Sequence, residues 1–268
     1  MVHKIKVRPA VDSDYSSILL LLRNDVYSAI YLYIDIIRYG LHTPFMDVYV
    51  EDSGDSNLIS IIMKYNNTFQ IYCLNPKILN PDIIRLIDNY NPSMVSGQPE
   101  VIHTLYLHYS GKYDEAYGLV LEQPSHISVT NMNYDVATLD DLKECSILAC
   151  SDVRLKGYQD AAELEQQFIQ RYMDHMGRHY VLRRENKIIA HVATYAEIPD
   201  MAVISGVIVH PDYRGNKFGK TLYSILSNNL LLEGKKVILF VIEKNIMETY
   251  LSYGAVVRSH YGKLTQNY

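Results

Sequence analysis

Residues 201–220 read MAVISGVIVHPDYRGNKFGK, and this stretch carries most of the information about the fold. Residues 201–209 are almost entirely apolar and do not alternate with polar residues, which is typical of a strand covered on both faces. After a loop, residues 218–232 have apolar positions at helical spacing and end near Gly234. The stretch predicts a strand, a glycine-containing loop and a helix, an order in which a phosphate can bind at the helix N-terminus.

The loop itself favours an anion site. Gly215 and Gly219 permit backbone angles that other residues resist, so consecutive N–H groups can point at one anion. Arg214, Lys217 and Lys220 add local positive charge in a chain whose formal net charge is −5. This combination suits a pyrophosphate. An ordinary solvated turn has the same residue types, so the loop alone does not decide between the two interpretations.

Elements of both types are predicted along the rest of the chain. In the second half we expect helices at 139–150, 161–175 and 246–253, and strands at 180–184, 187–196, 237–242 and in the tail. In the first half we expect strands at 4–8, 46–51, 57–65, 68–73 and 117–122, and helices at 18–22, 26–38, 81–89 and 99–109. Gly54 and the pair Asn66-Asn67 are turn signals. This first half is mixed α/β and contains no recognisable chemical motif.

The length of 268 residues exceeds the ~100–150 residues of a typical single domain, so two domains, or one domain with a large appendage, are expected. Pro124 and Ser125 provide a boundary, which gives domains at residues 1–124 and 125–268. Residues 7–22 and 136–148 both show a strand end, an alanine, acidic residues and an amphipathic helix. This similarity indicates an internal duplication.

Three segments in the second half resemble one known family. Residues 207–215, followed by Phe218-Gly219, resemble motif A of the GNAT superfamily, in which a strand leads into an Arg/Gln-x-x-Gly-x-Gly/Ala loop. Residues 183–196 resemble the hairpin before that motif, and residues 250–255 resemble its Tyr-x-x-Leu-Gly-Phe helix end. The resemblance implies an α/β fold with a GNAT-type central mixed β-sheet flanked by helices. It also implies that the first domain is a degenerate GNAT-like copy, as in tandem GNAT proteins.

The resemblance further implies an N-acetyltransferase, in which a primary amine attacks acetyl-CoA and the CoA thiolate leaves. Backbone groups of one strand would bind the pantetheine arm and those of the loop the pyrophosphate. The residues expected to bind the cofactor are Val207, Ile208, Val209, Arg214, Gly215, Asn216, Lys217, Phe218, Gly219 and Lys220. Tyr250 is at the position of the acid that meets the thiolate. Glu197 is the expected base, with His191 and Glu243 as alternatives.

Two positions depart from the family pattern. Lys217 occupies the loop position of a family glycine, where its side chain either crowds the site or adds a cation to it. Glu243 occupies the position of a family asparagine that lies seven residues before the tyrosine. Both departures favour a second hypothesis, a module that binds CoA without turnover. For an active enzyme, the expected acceptor is a small-molecule or peptide amine.

Composition excludes other classes of function. The net charge of −5 argues against a general nucleic-acid or anionic-membrane surface. No apolar run approaches the ~18–20 residues of a membrane span, and the N-terminus lacks the apolar core of a signal peptide. Cys73, Cys145 and Cys150 lack zinc-type spacing, so no metal is expected. Free thiols indicate a reducing compartment, and we expect a cytoplasmic protein.

Overall fold

The structure of the chain, a computed structural model, describes residues 6–53, 57–124, 133–152 and 160–266. Three expectations fall wholly or partly outside these ranges: the start of the strand at 4–8, the turn at Gly54, and the domain boundary at Pro124 and Ser125. The described residues form two compact units. Unit 1 is built from the described parts of Met1–Gly118, Val241–Lys244 and Arg258–Tyr268, and unit 2 from the described parts of Leu119–Phe240 and Asn245–Val257.

In chain order, the first half contains β1 (Lys6–Pro9), α1 (Tyr15–Arg23), α2 (Ile30–Tyr39), β2 (His42–Thr43), β3 (Met46–Asp52), β4 (Leu58–Tyr65), β5 (Thr68–Cys73), α3 (Pro81–Tyr90), β6 (Met94–Gly97), α4 (Pro99–His108) and β7 (Gly111–Leu121). The second half contains β8 (Asp135–Val136), α5 (Leu142–Cys150), α6 (Ala161–Met173), β9 (His179–Arg184), β10 (Lys187–Ile198), β11 (Met201–Val209), α7 (Phe218–Leu232), β12 (Lys236–Val241), α8 (Lys244–Leu251) and β13 (Val256–Gln266). Most of the expected elements are present with shifted ends. The strand β6 was not expected from the sequence.

The division into units differs from a single cut in the sequence. The main segment of unit 1 ends at Gly118, shortly before the boundary proposed after residue 124. The described residues from Arg258 onward belong to unit 1, whereas the proposed boundary puts them in the second domain. Its strand β13 pairs antiparallel with β6, from Gly262 opposite Gly97 to Thr265 opposite Met94.

Unit 1 is a mixed sheet with helices packed on it. Its strands follow the order β1-β3-β4-β5-β6-β13, and β2 pairs with β3. Neighbouring strands are antiparallel except β5 and β6, which are parallel and are connected through α3. Apolar side chains of these strands, of α3 and of α4 form one core, which includes Phe69, Ile83, Val95, Ile102 and Leu264.

Unit 2 repeats this topology. Its strands follow the order β12-β11-β10-β9-β8, and all neighbours are antiparallel except β11 and β12, which are parallel and are connected through α7. Helices α5 and α6 cover a core around Phe168, Val181 and Tyr195. A fully buried Leu or Phe side chain stabilises the fold by about 1.5–3 kcal/mol, so such a core holds the sheet in one register.

The suspected duplication is visible in how each unit begins. Each starts with a strand, a short 3-10 turn and a helix, namely β1 and α1 in unit 1 and β8 and α5 in unit 2. The last residue of each turn is an aspartate whose carboxylate accepts the N–H of the residue three positions earlier, Asp14 from Val11 and Asp141 from Thr138, both at 2.8 Å. The same turn is therefore built twice from similar residues.

None of the helices in the described ranges combines the length and the apolar composition that crossing a bilayer requires. Cys73, Cys145 and Cys150 are free thiols. Burial raises the thiol pKa of Cys73 to about 11 and that of Cys145 to about 12, so both remain protonated near neutral pH.

Candidate functional site

Strands β11 and β12 are paired only at their beginnings. Their parallel register joins Met201 to Lys236, Ala202 to Val237 and Val203 to Ile238. Both strands continue beyond these pairs, so in the described structure residues 204–209 of β11 have no partner on β12. The two strands thus part, and the gap leaves backbone N–H and C=O groups that an extended ligand can use.

A bulge bends β11 at the gap. Ala193 of β10 pairs with Ser205 and His191 pairs with Ile208, so two residues of β11 lie opposite one of β10. The first of them, Gly206, has φ +63°, and a Cβ built there would lie 2.9 Å from the hydroxyl oxygen of Tyr195. Only glycine fits this position without a shift of its neighbours. Such bulges often occur next to active sites, where they re-aim a strand.

The loop after β11 opens the N-terminus of α7. Gly215 and Lys217 have φ of +83° and +62°, and Lys217 is the N-cap residue of α7 without a side-chain cap bond. The backbone N–H groups of residues 215–220 donate to no acceptor among the described residues. The first turn of the helix therefore presents unpaired donors and the positive end of the helix dipole to an anion.

The loop is anchored by Arg214. Its Nη2 donates to Oδ2 of Asp152 at 3.0 Å, and its Nε donates to the carbonyl oxygen of Val209 at 3.2 Å. The Asp152 side chain is almost fully buried, so this ion pair ties the loop to the body of unit 2. Lys217 and Lys220 are exposed and supply the positive charge next to the unpaired N–H groups.

The first turn of α7 lies against β11. A Cβ built at Gly219 would lie 3.3 Å from Cγ2 of Val209 and 3.5 Å from Cγ1 of Val207. Val207 and Val209 are half-buried. Residues 207–209 and 215–220 thus form one continuous surface, which we call the β11–α7 site.

Tyr250 belongs to a group of tyrosines beside this site. Its ring packs edge to face on Tyr223 of α7, with centroids 4.7 Å apart, and lies 6.0 Å from the ring of Tyr253. The Nζ of Lys220 lies 4.7 Å above the ring centroid of Tyr253. Contacts therefore connect the first turn of α7 to Tyr250. Tyr223 and Tyr253 were not predicted as site residues, because nothing in the sequence distinguishes them among the 24 tyrosines of the chain.

Burial changes the acidity of these phenols. It raises the pKa of Tyr250 above its ordinary value, and the neighbouring Tyr253 raises it further. Burial also raises the pKa of Tyr223, whose hydroxyl is buried and has no hydrogen-bond partner among the described residues. Both phenols are therefore protonated near neutral pH and are hydrogen-bond donors.

Glu197, the expected base, lies at the end of β10 in a cluster of ion pairs. Its Oε1 lies 2.5 Å from Nη2 of Arg178 and 3.4 Å from Nζ of Lys235, and its Oε2 accepts a hydrogen bond from Thr194 at 3.2 Å. The carboxylate is buried, with both oxygens engaged. To accept a proton from an amine it must give up one of these contacts or act through water.

The two alternative bases lie in opposite environments. His191 is fully buried, and its Nε2 lies 3.0 Å from Nδ1 of His179 in a stacked pair beside Phe168. Burial, and secondly His179, lower the pKa of His191 well below its ordinary value. Glu243 is exposed and follows the end of β12. A buried neutral histidine without access to solvent is unsuited to exchange protons with a substrate.

Unit 1 has no equivalent of the β11–α7 site in its described residues. Its parallel strands β5 and β6 pair along all of β6, from Thr68 opposite Met94 to Ile71 opposite Gly97. The helix between them, α3, is capped by Asn80, whose side chain accepts the N–H of Asp82 at 2.9 Å. Asp82 adds a negative charge to the first turn. A capped and acidic N-terminus disfavours a phosphate.

Comparisons with known proteins agree with this architecture. Residues 140–246 match the sequence profile described as the acetyltransferase (GNAT) family. No curated protein sequence matches the chain.

Solved structures with the same fold extend over both units. A tandem GNAT protein from the clavulanic acid biosynthesis pathway has a TM-score of 0.61 at 14% identity, with 98% of each chain covered. A Drosophila protein has a TM-score of 0.68 at 11% identity, covering 99% of this chain and 100% of its own. A GCN5-related N-acetyltransferase from Sphaerobacter thermophilus has a TM-score of 0.64 at 14% identity, covering 97% and 94%. At these identities the similarity is one of fold, and it confirms the α/β fold with a large mixed sheet flanked by helices.

Proposed function

We propose, from the premise that residues 140–246 of this chain belong to the acetyltransferase (GNAT) family, that the protein transfers an acetyl group from acetyl-CoA to a primary amine. The amine attacks the thioester carbonyl, a new C–N bond forms, the C–S bond breaks to release the CoA thiolate, and the nitrogen loses one proton to water or to Glu197. The acceptor is a small-molecule or peptide amine. The reaction needs no metal ion, because the thioester is already an activated acyl donor.

The observation that carries the proposal is the β11–α7 site. An extended arm can pair with the free backbone edge of residues 207–209, while a diphosphate at its end meets the unpaired N–H groups of residues 215–220. CoA has both features in that order. Lys217 and Lys220 each add a cation beside the diphosphate. The guanidinium of Arg214 is already hydrogen-bonded to Asp152, so Arg214 contributes to CoA binding by holding the loop in position.

Tyr250 is the proposed acid for the leaving thiolate. An ordinary phenol has a pKa of about 10 and a thiol one of about 8.5, so complete proton transfer from Tyr250 would be uphill even before burial raises its pKa. We therefore propose that Tyr250 donates a hydrogen bond to the departing sulfur and stabilises its developing charge. Its packing against Tyr223 and Tyr253 holds the ring in one orientation for this contact.

A second candidate function is binding of CoA without turnover. It is favoured by the state of two of the three candidate bases, since Glu197 is engaged in two ion pairs and His191 is fully buried, whereas Glu243 is exposed. An amine that reaches the site already neutral, or one deprotonated through water, removes this objection to catalysis. The two candidates differ in a single measurable quantity, the release of free thiol.

The test is to incubate the protein with acetyl-CoA and a panel of primary amines and to follow thiol release. Transfer is supported by two results: the release of thiol depends on the amine, and the mass of the amine rises by ~42 Da because an acetyl group replaces a hydrogen. In the Tyr250→Phe variant we expect CoA affinity and folding to persist, while kcat falls by ~10²–10³-fold, the usual effect of losing one hydrogen-bond donor that stabilises a developing negative charge. Unchanged turnover in this variant, with chemistry limiting the rate, would show that Tyr250 is only a packing residue. CoA binding without thiol release for any amine would favour the second candidate.

A further inference from the structure

A cleft of about 810 Å³ lies wholly within unit 1. It opens at the carboxyl ends of the parallel strands β5 and β6, since its lining includes Pro76 and Lys77 after β5 and Gln98 after β6. Crevices at the carboxyl ends of parallel strands are the usual ligand sites of open α/β sheets. The cleft is large enough for a small organic molecule.

The charges around the cleft are predominantly negative. Its lining contains three carboxylates, Asp25, Glu100 and Glu115, and one cationic side chain, Lys77. None of the three carboxylates forms an ion pair with a described residue. Asp25 lies in the turn after α1, Glu100 in α4 and Glu115 in β7, so the negative charge is spread around the opening. A phosphate or a nucleotide is disfavoured there, and an organic cation is favoured.

The spacing of these groups fits an extended cation better than a metal ion. Among the described residues, no three His, Cys, Asp or Glu side chains come close enough together to hold a metal ion. The lining also includes the rings of His103 and Tyr113, whose centroids are 5.7 Å apart. Aromatic faces beside carboxylates are the usual surroundings of bound ammonium groups.

A buried amide indicates a further contact with a ligand. Gln98 lines the cleft and is only 7% exposed. Its Oε1 accepts the N–H of Cys73 at 2.7 Å, which fixes the side chain between the ends of β5 and α4. Its Nε2 has no acceptor among the described residues, so its two N–H groups are available to an oxygen atom of a ligand.

We propose that unit 1 carries a second binding site in this cleft, specific for a small organic dication that has two ammonium groups and a carbonyl or hydroxyl oxygen. The ammonium groups lie near the spread carboxylates, and the oxygen accepts from Nε2 of Gln98. The site goes beyond the proposed acetyl transfer, because it is formed entirely by unit 1 and does not involve acetyl-CoA.

The test uses the full chain and two probes with the same four-carbon side-chain skeleton, L-lysinamide and L-norleucinamide. Both carry an α-ammonium group and a carbonyl oxygen, and only lysinamide has the second ammonium group. By calorimetry at low ionic strength we expect lysinamide to bind at least about 5-fold more tightly, and added salt to weaken its binding. Equal affinities, or no binding of lysinamide, would overturn the proposal.

Substitutions identify where the probe binds. Glu100→Gln and Glu115→Gln should each weaken lysinamide binding by about 3–10-fold, because each removes one charge and keeps the shape of the side chain. Asp12→Asn is the matched control, since it removes the same charge from an exposed position of unit 1 outside the cleft. Lysinamide affinity that is unchanged in both glutamate variants would place the probe elsewhere and refute the site. An equal loss in Asp12→Asn would show only a general effect of net charge and would also refute it.

Discussion

The substitution Gly219→Val tests whether the N-terminus of α7 binds the diphosphate of CoA. The Cβ alone would lie 3.3 Å from Val209 and 3.5 Å from Val207, and the two γ-methyl groups of valine extend beyond it over the N–H groups of the first turn. If two of the charged hydrogen bonds are lost, at about 1.5–3 kcal/mol each, binding weakens by about 3–6 kcal/mol. This corresponds to a rise in Kd of ~10²–10⁴-fold.

Calorimetric titration with acetyl-CoA measures this effect, and Gly219→Ala is the matched control. Alanine adds only the Cβ, which small movements of the valine side chains can accommodate, so we expect its Kd to rise by less than about 10-fold. Both variants should fold, because neither alanine nor valine is worse than glycine in a helix. Equal CoA affinity in wild type and in a folded Gly219→Val variant would refute the idea that the diphosphate lies on this turn.

Three further predictions concern other residues of unit 2. Lys217→Gly removes a side chain from a left-handed position, where a non-glycine residue costs about 1–2 kcal/mol. We therefore expect a small gain in the free energy of unfolding, measured in urea. If the ammonium group of Lys217 contacts a phosphate, CoA binding should weaken by about 1–3 kcal/mol. Tighter CoA binding would show instead that the side chain crowds the site. Glu197→Gln breaks its ion pair with Arg178 and should lower unfolding stability by about 1–3 kcal/mol, whereas a role as base additionally requires that kcat/KM falls by ~10²–10⁴-fold; turnover equal to that of the wild type would exclude that role. Burial lowers the pKa of His179 from 6.5 to about 4, and burial together with His179 lowers the pKa of His191 well below 6.5, so the unfolded chain binds more protons than the folded one below pH 6.5. Stability should therefore fall as the pH falls from 6.5 to 5, by about 2 kcal/mol per histidine; urea unfolding that is independent of pH in this range would contradict the burial of the pair.

Much of the fold of unit 2 was predictable because its elements are long and strongly patterned. The strand β11, the helix α7 and the intervening loop follow directly from residues 201–234. The strand β6 was missed because it has only four residues, two of which are Ser96 and Gly97. Its place in the sheet depends on partners in β5 and β13, which are distant in sequence.

The candidate site was predictable only in part. The resemblance to a family indicated the strand, the loop and Tyr250, and the structure brings them together. The environment of Glu197 was not predictable, because Arg178 and Lys235 approach it only after the chain has folded. The bulge at Gly206 was predictable in principle, because a single glycine inside an apolar strand is a signal for a bulge.

The central claim is that the gap between β11 and β12 and the first turn of α7 hold CoA. A crystal structure of the full chain grown with acetyl-CoA tests it most directly. We expect the diphosphate oxygens to lie within ~3 Å of the backbone nitrogens of residues 215–220, the pantetheine arm to pair with residues 207–209, and the sulfur to lie near the hydroxyl of Tyr250. Density for acetyl-CoA at any other place, or an empty gap in crystals saturated with the ligand, would contradict the claim.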